Sequence, residues 1–105
     1  MSKSSQFLIK HLLLNKVYQD ILIKIGNREV YLSEFAKEFK KNRETIWGQL
    51  KRLEEAGFIV RRVNGRKVFF SVNRLLVTVC IDAYLNSLMN AYFEIKNNLS
   101  KLQKL

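Results

Sequence analysis

Residues 32–60, LSEFAKEFKKNRETIWGQLKRLEEAGFIV, and the stretch that follows, RRVNGRKVFFSV (61–72), decide how this chain folds. Ser33 can cap a helix, and Glu34 in the first turn suits the helix dipole. That helix is read from Glu34 to about Phe39, with Phe35, Ala36 and Phe39 on its buried side. Lys40-Lys41 fills a tight turn. Asn42 caps the next helix, Arg43 to about Ala56, in which Ile46, Leu50 and Leu53 recur at i, i+4 and i+7 as one core stripe. The opposite side carries Glu44, Gly48, Lys51 and Glu55, flanked by Thr45, Trp47 and Arg52. Gly57 ends the helix. Phe58 to Val63 and Arg66 to Val72 read as hairpin strands around Asn64-Gly65, a pair that favours a two-residue type I′ turn. In that register Val63 faces Arg66, Arg62 faces Lys67 and Val60 faces Phe69. The like-charge pair Arg62–Lys67 costs stability, a cost best understood if the hairpin tip meets phosphate.

Upstream, Ser5 to Ile25 reads as a first helix, with Ser4 or Ser5 as its cap. Leu14, Val17, Tyr18, Ile21, Leu22 and Ile25 form one apolar face at helical spacing. Phe7, Ile9, Leu12, Leu13 and Ile23 lie partly off it. A helix apolar on two sides must bury two sides, so this one is expected to join a dimer interface as well as the core. His11 is either a pH switch or ligand, or a packed structural side chain. No second His and no nearby Cys supports the ligand role. Gly26-Asn27 ends the helix, and Val30-Tyr31-Leu32 is a short β-prone run expected to pair with the hairpin.

Downstream, Asn73 can cap a last helix that runs to about Leu102. Ile81, Leu85, Leu88, Tyr92, Ile95, Leu99 and Leu102 are spaced alternately four and three apart, an a/d seam. Asn86, Asn90, Asn97 and Asn98 mark the polar side. About 30 residues of helix span roughly 45 Å, more than so small a domain covers. Either the helix folds wholly onto its own domain, or the seam pairs two chains in a coiled-coil-like dimer. The second expectation is adopted, with Phe7 and Leu12 of the first helix joining the interface.

The whole chain, 105 residues, suits one domain able to form a core without metals or disulfides. Its parts are the first helix (5–25), a strand and two helices (30–57), the hairpin (58–72) and the last helix (73–105). Hydrophobic residues make up 48% and proline is absent, so the chain is not a disordered tail and long helices can run unbroken. The net charge is +10, a balance that points to a polyanion such as nucleic acid or an anionic membrane. From Lys40 to Lys67 nine basic residues stand against three acidic ones, although charge alone fits a solvated surface equally well. The single Cys80 cannot form an intrachain disulfide, which fits a reducing, cytoplasmic setting. No run of 18 apolar residues and no signal-peptide pattern is present. One His, no Gly-rich phosphate loop and no zinc-ligand spacing argue against an enzyme, and no cofactor or metal is expected.

Two helices across a tight turn, followed by a basic hairpin, suit double-stranded DNA. An α-helix fits the major groove, and its N-terminal residues reach base edges. Asn42, Arg43, Glu44 and Thr45 occupy that end here. Gly48 faces outward, where it either lets the backbone approach DNA or is a tolerated surface glycine. Trp47 flanks the groove face and either packs on its neighbour or meets a sugar, packing being favoured. Lys40, Lys41, Lys51 and Arg52 are placed for phosphates. The tip, with Arg61, Arg62, Asn64, Gly65, Arg66 and Lys67, is placed for the adjacent minor groove or backbone.

Residues 32–72 resemble winged-helix repressors of the ArsR and MarR type and many archaeal transcription regulators. The likeness rests on Leu32, Ser33, Glu34 and Ala36, then on Arg43, Thr45, Ile46 and the run LKRLEEAGFI. It ends on Gly65-Arg66 and Phe70 in the wing. It implies a mainly α fold with a small β-wing (α+β), a winged helix-turn-helix with long N- and C-terminal dimerisation helices. The long last helix is also similar to that of small winged-helix proteins of archaeal chromatin. Lys40-Lys41 departs from the usual turn of Gly followed by an apolar residue. The cysteine pair that metal-sensing ArsR members carry in the recognition helix is missing, so metal sensing is not expected. A Cys80–Cys80 bridge between two chains is an alternative to a buried structural Cys, which is favoured. The expectation is a homodimeric, nucleoid-associated, sequence-specific regulator. An architectural DNA-binding protein is the first alternative and a protein-interaction module, with an unidentified protein partner, the second.

Overall fold

The computed structural model describes residues 12–103. The expectations for Ser4, Ser5, Phe7, Ile9 and His11, and for the side chain of Leu102, lie outside the described residues. In chain order the elements are α1 (Lys16–Ile25), β1 (Val30–Tyr31), α2 (Leu32–Glu38), α3 (Arg43–Glu55), β2 (Ile59–Asn64), β3 (Lys67–Val72) and α4 (Arg74–Gln103). The strands form one antiparallel sheet in the order β1-β3-β2. Three helices followed by a sheet with a hairpin tip, and then a long helix, make a winged helix-turn-helix.

The first helix does not run unbroken from 5 to 25. Residues 12–14 are helical, but Asn15 is extended (φ −90°, ψ 124°) and caps α1, its Oδ1 accepting from the Val17 N–H at 2.9 Å. Asparagine offers the backbone a local partner and so starts a new helix where periodicity alone reads straight through. At the other end Gly26 takes a left-handed φ of 59° and its N–H bonds Leu22 O, as expected of a C-terminal glycine.

Ser33 does not cap α2. The helix starts one residue earlier, at Leu32, from an extended Tyr31 that makes no side-chain cap bond. Leu32 is buried, and anchoring it in the core draws the first turn forward, while Tyr31 remains in the sheet against Phe69. At α3 the reading holds: Asn42 Oδ1 accepts from the Thr45 N–H at 2.8 Å.

The hairpin differs by one position on each strand. Asn64 pairs with Lys67, Val63 with Val68, Arg62 with Phe69 and Val60 with Ser71. The loop is therefore Gly65-Arg66, and among the described residues Gly65 alone in it has positive φ, 63°. Glycine at the first loop position is the type II′ solution. This register needs no left-handed Asn64 and removes the like-charge pair Arg62–Lys67. It places the Arg62 guanidinium over the Phe69 ring instead, 4.6 Å from its centroid.

The core joins α1 (Tyr18, Ile21, Ile25), α2 (Phe35, Ala36) and α3 (Ile46, Leu50, Leu53) to Val30, Ile59 and Phe70 on the inner face of the sheet. Burying one such aliphatic or aromatic side chain contributes roughly 1.5–3 kcal/mol. Leu12, expected at a dimer surface, is 2% exposed and belongs to its own chain's core.

Asn73 caps α4, its Oδ1 accepting from the Leu76 N–H at 3.2 Å. Gly57 (φ 86°) lets α4 approach: a Cβ there would lie 2.9 Å from Leu76 Cδ2. Leu76, Val77 and Cys80 pack against the core. From Leu85 to Lys101 every residue is exposed, and the molecule is drawn out to 68 × 29 × 24 Å.

Candidate nucleic-acid interface

The candidate surface starts from a backbone constraint. Lys40 adopts φ 54°, the one non-glycine residue with positive φ among those described. This turns the chain sharply from α2 into α3 and leaves Lys40, Lys41 and Asn42 exposed at the N-terminus of α3. Arg43, Glu44 and Thr45 are exposed on the first turn. Asn42 is less free than its sequence position suggests, since its Oδ1 is engaged by the cap. Gly48 is exposed at mid-helix, and a Cβ there would meet nothing within 4 Å, so its outer side is open to a close partner.

Trp47 is packed. Its ring meets Phe70 edge-on at 5.9 Å and is half-buried between α3 and the sheet. Two cations flank it, Lys51 Nζ at 5.6 Å and Arg61 Cζ at 5.9 Å from the ring centroid. The same two cations pair with Glu54, each at 3.1 Å. One partly buried carboxylate thus ties α3 to the wing.

Several cations assigned to phosphate from sequence are engaged within the chain. Besides Lys51 and Arg61, Arg62 makes a two-pronged contact with Glu29, Nη2 to Oε1 at 2.6 Å and Nε to Oε2 at 2.9 Å. Arg52 Nη1 donates to the Tyr18 hydroxyl at 3.1 Å. Among the described residues Lys40, Lys41, Arg43, Arg66 and Lys67 make no ion pair, and all five are exposed. Asn64 and Gly65 are exposed beside Arg66 at the hairpin tip.

The hydrogen bonds from Arg62 hold the Glu29 carboxyl below the usual carboxylate range and raise the guanidinium in turn. Arg28, in the α1–β1 loop, and Glu38, at the end of α2, repeat this at 2.8 Å. The restraining acids Glu29 and Glu54 were missed by sequence reading. Glu54 carried a signal, three residues after Lys51 on one helix. Glu29 carried only its place two residues before Tyr31, which puts it on the same sheet face.

Behind this surface, Ile81, Leu85, Leu88, Tyr92, Ile95 and Leu99 of the heptad seam are all at least 40% exposed. Leu14 and Ile23 are exposed as well, Ile23 at 76%. Leu13, Leu22, Val77, Ile81 and Tyr84 line a groove of about 480 Å³ where α1 meets α4. No helix among the described residues is long and apolar enough to cross a membrane. No group of three His, Cys, Asp or Glu among them could hold a metal ion.

No family model matches the chain, and no curated protein matches its sequence. Solved structures do match its fold. An ArsR-like transcriptional regulator from a Rhodococcus species superposes with a TM-score of 0.75 at 16% identity, covering 96% of this chain and 89% of that one. A homodimeric winged helix-turn-helix DNA-binding domain from Mycobacterium bovis gives 0.65 at 16%, covering 87% and 83%. HlyU from Vibrio cholerae gives 0.65 at 17%, covering 80% and 94%. The chain is therefore a winged helix-turn-helix domain whose fold resembles that of ArsR-type transcriptional regulators.

Proposed function

We propose that this protein binds double-stranded DNA as a homodimer and regulates transcription inside the cell, with no catalytic activity of its own. The observation that carries the reading is the exposed outer side of α3. Arg43 and Thr45 stand at its first turn and the bare Gly48 at its middle, with unpaired cations on both sides: Lys40 and Lys41 in the turn, Arg66 and Lys67 at the wing tip. Such an arrangement lets α3 enter the major groove with phosphate contacts at both edges. In this reading Arg43 and Thr45 meet base edges, and Arg66 and Lys67 follow the flanking backbone or minor groove. Lys51, Arg61 and Arg62 act mainly by fixing the wing against α3, with Arg52 at the flank. The exposed seam of α4, with Leu14 and Ile23, supports pairing of two copies. The homodimeric architecture of the Mycobacterium bovis domain is consistent with it.

A second reading, DNA binding with little sequence preference, is favoured by one feature. Only Arg43, Glu44 and Thr45 combine exposure on the first turn of α3 with groups able to read bases, whereas the cations are many.

Fluorescence anisotropy at several salt concentrations separates the two. The DNA upstream of this protein's own gene is compared with a random duplex of equal length. Upstream binding about a thousandfold tighter marks a site-specific regulator. Equal, steeply salt-dependent binding to both marks an architectural protein. No binding to either at low salt would sink the DNA reading and turn the search to a protein partner.

A further inference from the structure

The wing sheet has two faces, and the DNA reading uses only its tip. Its inner face (Ile59, Phe70, Val30) closes the core. Its outer face carries Val60, Arg62 and Asn64 from β2, Lys67 and Phe69 from β3, and Tyr31 from β1. Phe69 pairs with Arg62 on one side and Tyr31 on the other, so the three form one row across all three strands. The rings of Tyr31 and Phe69 are 5.7 Å apart. A cation lies over each: Arg62 Cζ 4.6 Å from the Phe69 centroid and Lys67 Nζ 5.7 Å from that of Tyr31. Glu29 grips Arg62 through Nε and Nη2, which fixes the guanidinium beside Phe69 and leaves Nη1 unengaged by that contact. Val60 is 52% exposed, and Arg62, Asn64, Arg66 and Lys67 are exposed.

Two aromatic rings on adjacent antiparallel strands, with cations over them and further cations at one end, match the chemistry of unpaired bases joined by phosphates. Bases stack on rings and on guanidinium planes, and the backbone follows the positive charge. Duplex DNA cannot use such a face, because its bases are stacked inside the helix. An acidic peptide would satisfy the cations and leave the aromatic row unused. We propose that the outer face of the wing sheet is a second nucleic-acid site, specific for single strands. Two successive bases stack over the Arg62–Phe69 and Tyr31 positions, and the phosphates that follow lie on Lys67 and Arg66. Glu29 acts as the positioning residue that holds Arg62 in place.

The test uses the full chain with fluorescein-labelled dT12, U12 and a labelled duplex, each measured separately by anisotropy. Tyr31→Ile and Phe69→Ile keep β-prone apolar side chains and remove the rings. The expected result is single-strand binding in which the two rings take part. Each variant should weaken it by about tenfold, with duplex affinity unchanged within a factor of two and the thermal midpoint retained. Lys67→Gln, which leaves the rings intact, should flatten the salt dependence of single-strand binding. The dT12 and U12 arms decide whether the strand is DNA or RNA. Absence of single-strand binding, or parental single-strand affinity in the ring variants, overturns the proposal and leaves the duplex reading standing. If a ring variant loses its fold, Lys67→Gln with an unchanged salt slope overturns it instead.

Discussion

Lys40 combines an unfavourable backbone conformation with an exposed charge. Its left-handed backbone (φ 54°) suits glycine, and an L side chain there costs about 1 kcal/mol. Lys40→Gly is expected to raise the unfolding free energy by roughly 0.5–1 kcal/mol in urea titration, while lowering DNA affinity through the lost charge. A drop in stability would show that the side chain, not the backbone, sets the balance. Among the described residues Arg43 has no ion-pair partner, so Arg43→Ala should cost about 1–3 kcal/mol on a preferred duplex and narrow the gap to random DNA. Lys51→Gln should cost less affinity than Arg66→Gln, because Lys51 already serves Glu54; equal losses across a salt series would contradict that ranking. The capping role of Asn42 and the core stripe Ile46, Leu50 and Leu53 were legible from sequence, because each depends on neighbours within one helix. The acids that occupy Arg61 and Arg62 were not. Glu54 and Glu29 reach them across the α3–β2 and α1–wing junctions, and no local pattern encodes such a meeting.

Among the elements, the hairpin shows how tertiary pairing overrides a local turn preference. Asn64-Gly65 favours one register, yet the sheet takes the next, in which Arg62 lies across from Phe69 and Phe70 from Val30. Likewise the apolar period of the first helix hid the break at Asn15, since capping is a property of one side chain and not of a periodic face. The α1–wing junction has its own pH signature. Arg62 lowers the Glu29 carboxyl below its ordinary value, so the pair stabilises the fold above that ordinary value. Its contribution is lost as pH falls through the lowered one. NMR titration of the Glu29 carboxyl should show this depressed midpoint. In an Arg62→Gln variant the midpoint should return toward an ordinary glutamate; an unchanged midpoint would rule Arg62 out as the cause. Within the core, Leu50→Ala should cost about 2–5 kcal/mol, read as a lowered urea midpoint at constant slope.

At the scale of the molecule, the three-helix body with its wing was readable because its patterns are local and short. In the proposed homodimer the seam of α4 would carry the pairing of two copies. Leu88→Lys with Ile95→Lys places like charges along it and should give a monomer by light scattering, with DNA affinity falling because two linked heads become one. A dimer that survives both substitutions would move the interface to α1. The bare stretch of α4 beyond Leu85 has a consequence for how the protein behaves on dilution. Four asparagines weaken it as a free helix, and a segment of that length is marginal in water without packing. If two copies pair along it as proposed, its backbone order is linked by mass action to the presence of the second chain. Ellipticity at 222 nm should fall as the protein is diluted through its dissociation range, while the near-ultraviolet signal of Trp47, locked against Phe70, stays constant. Scarcity of the protein would then appear first as a shortening of its longest helix.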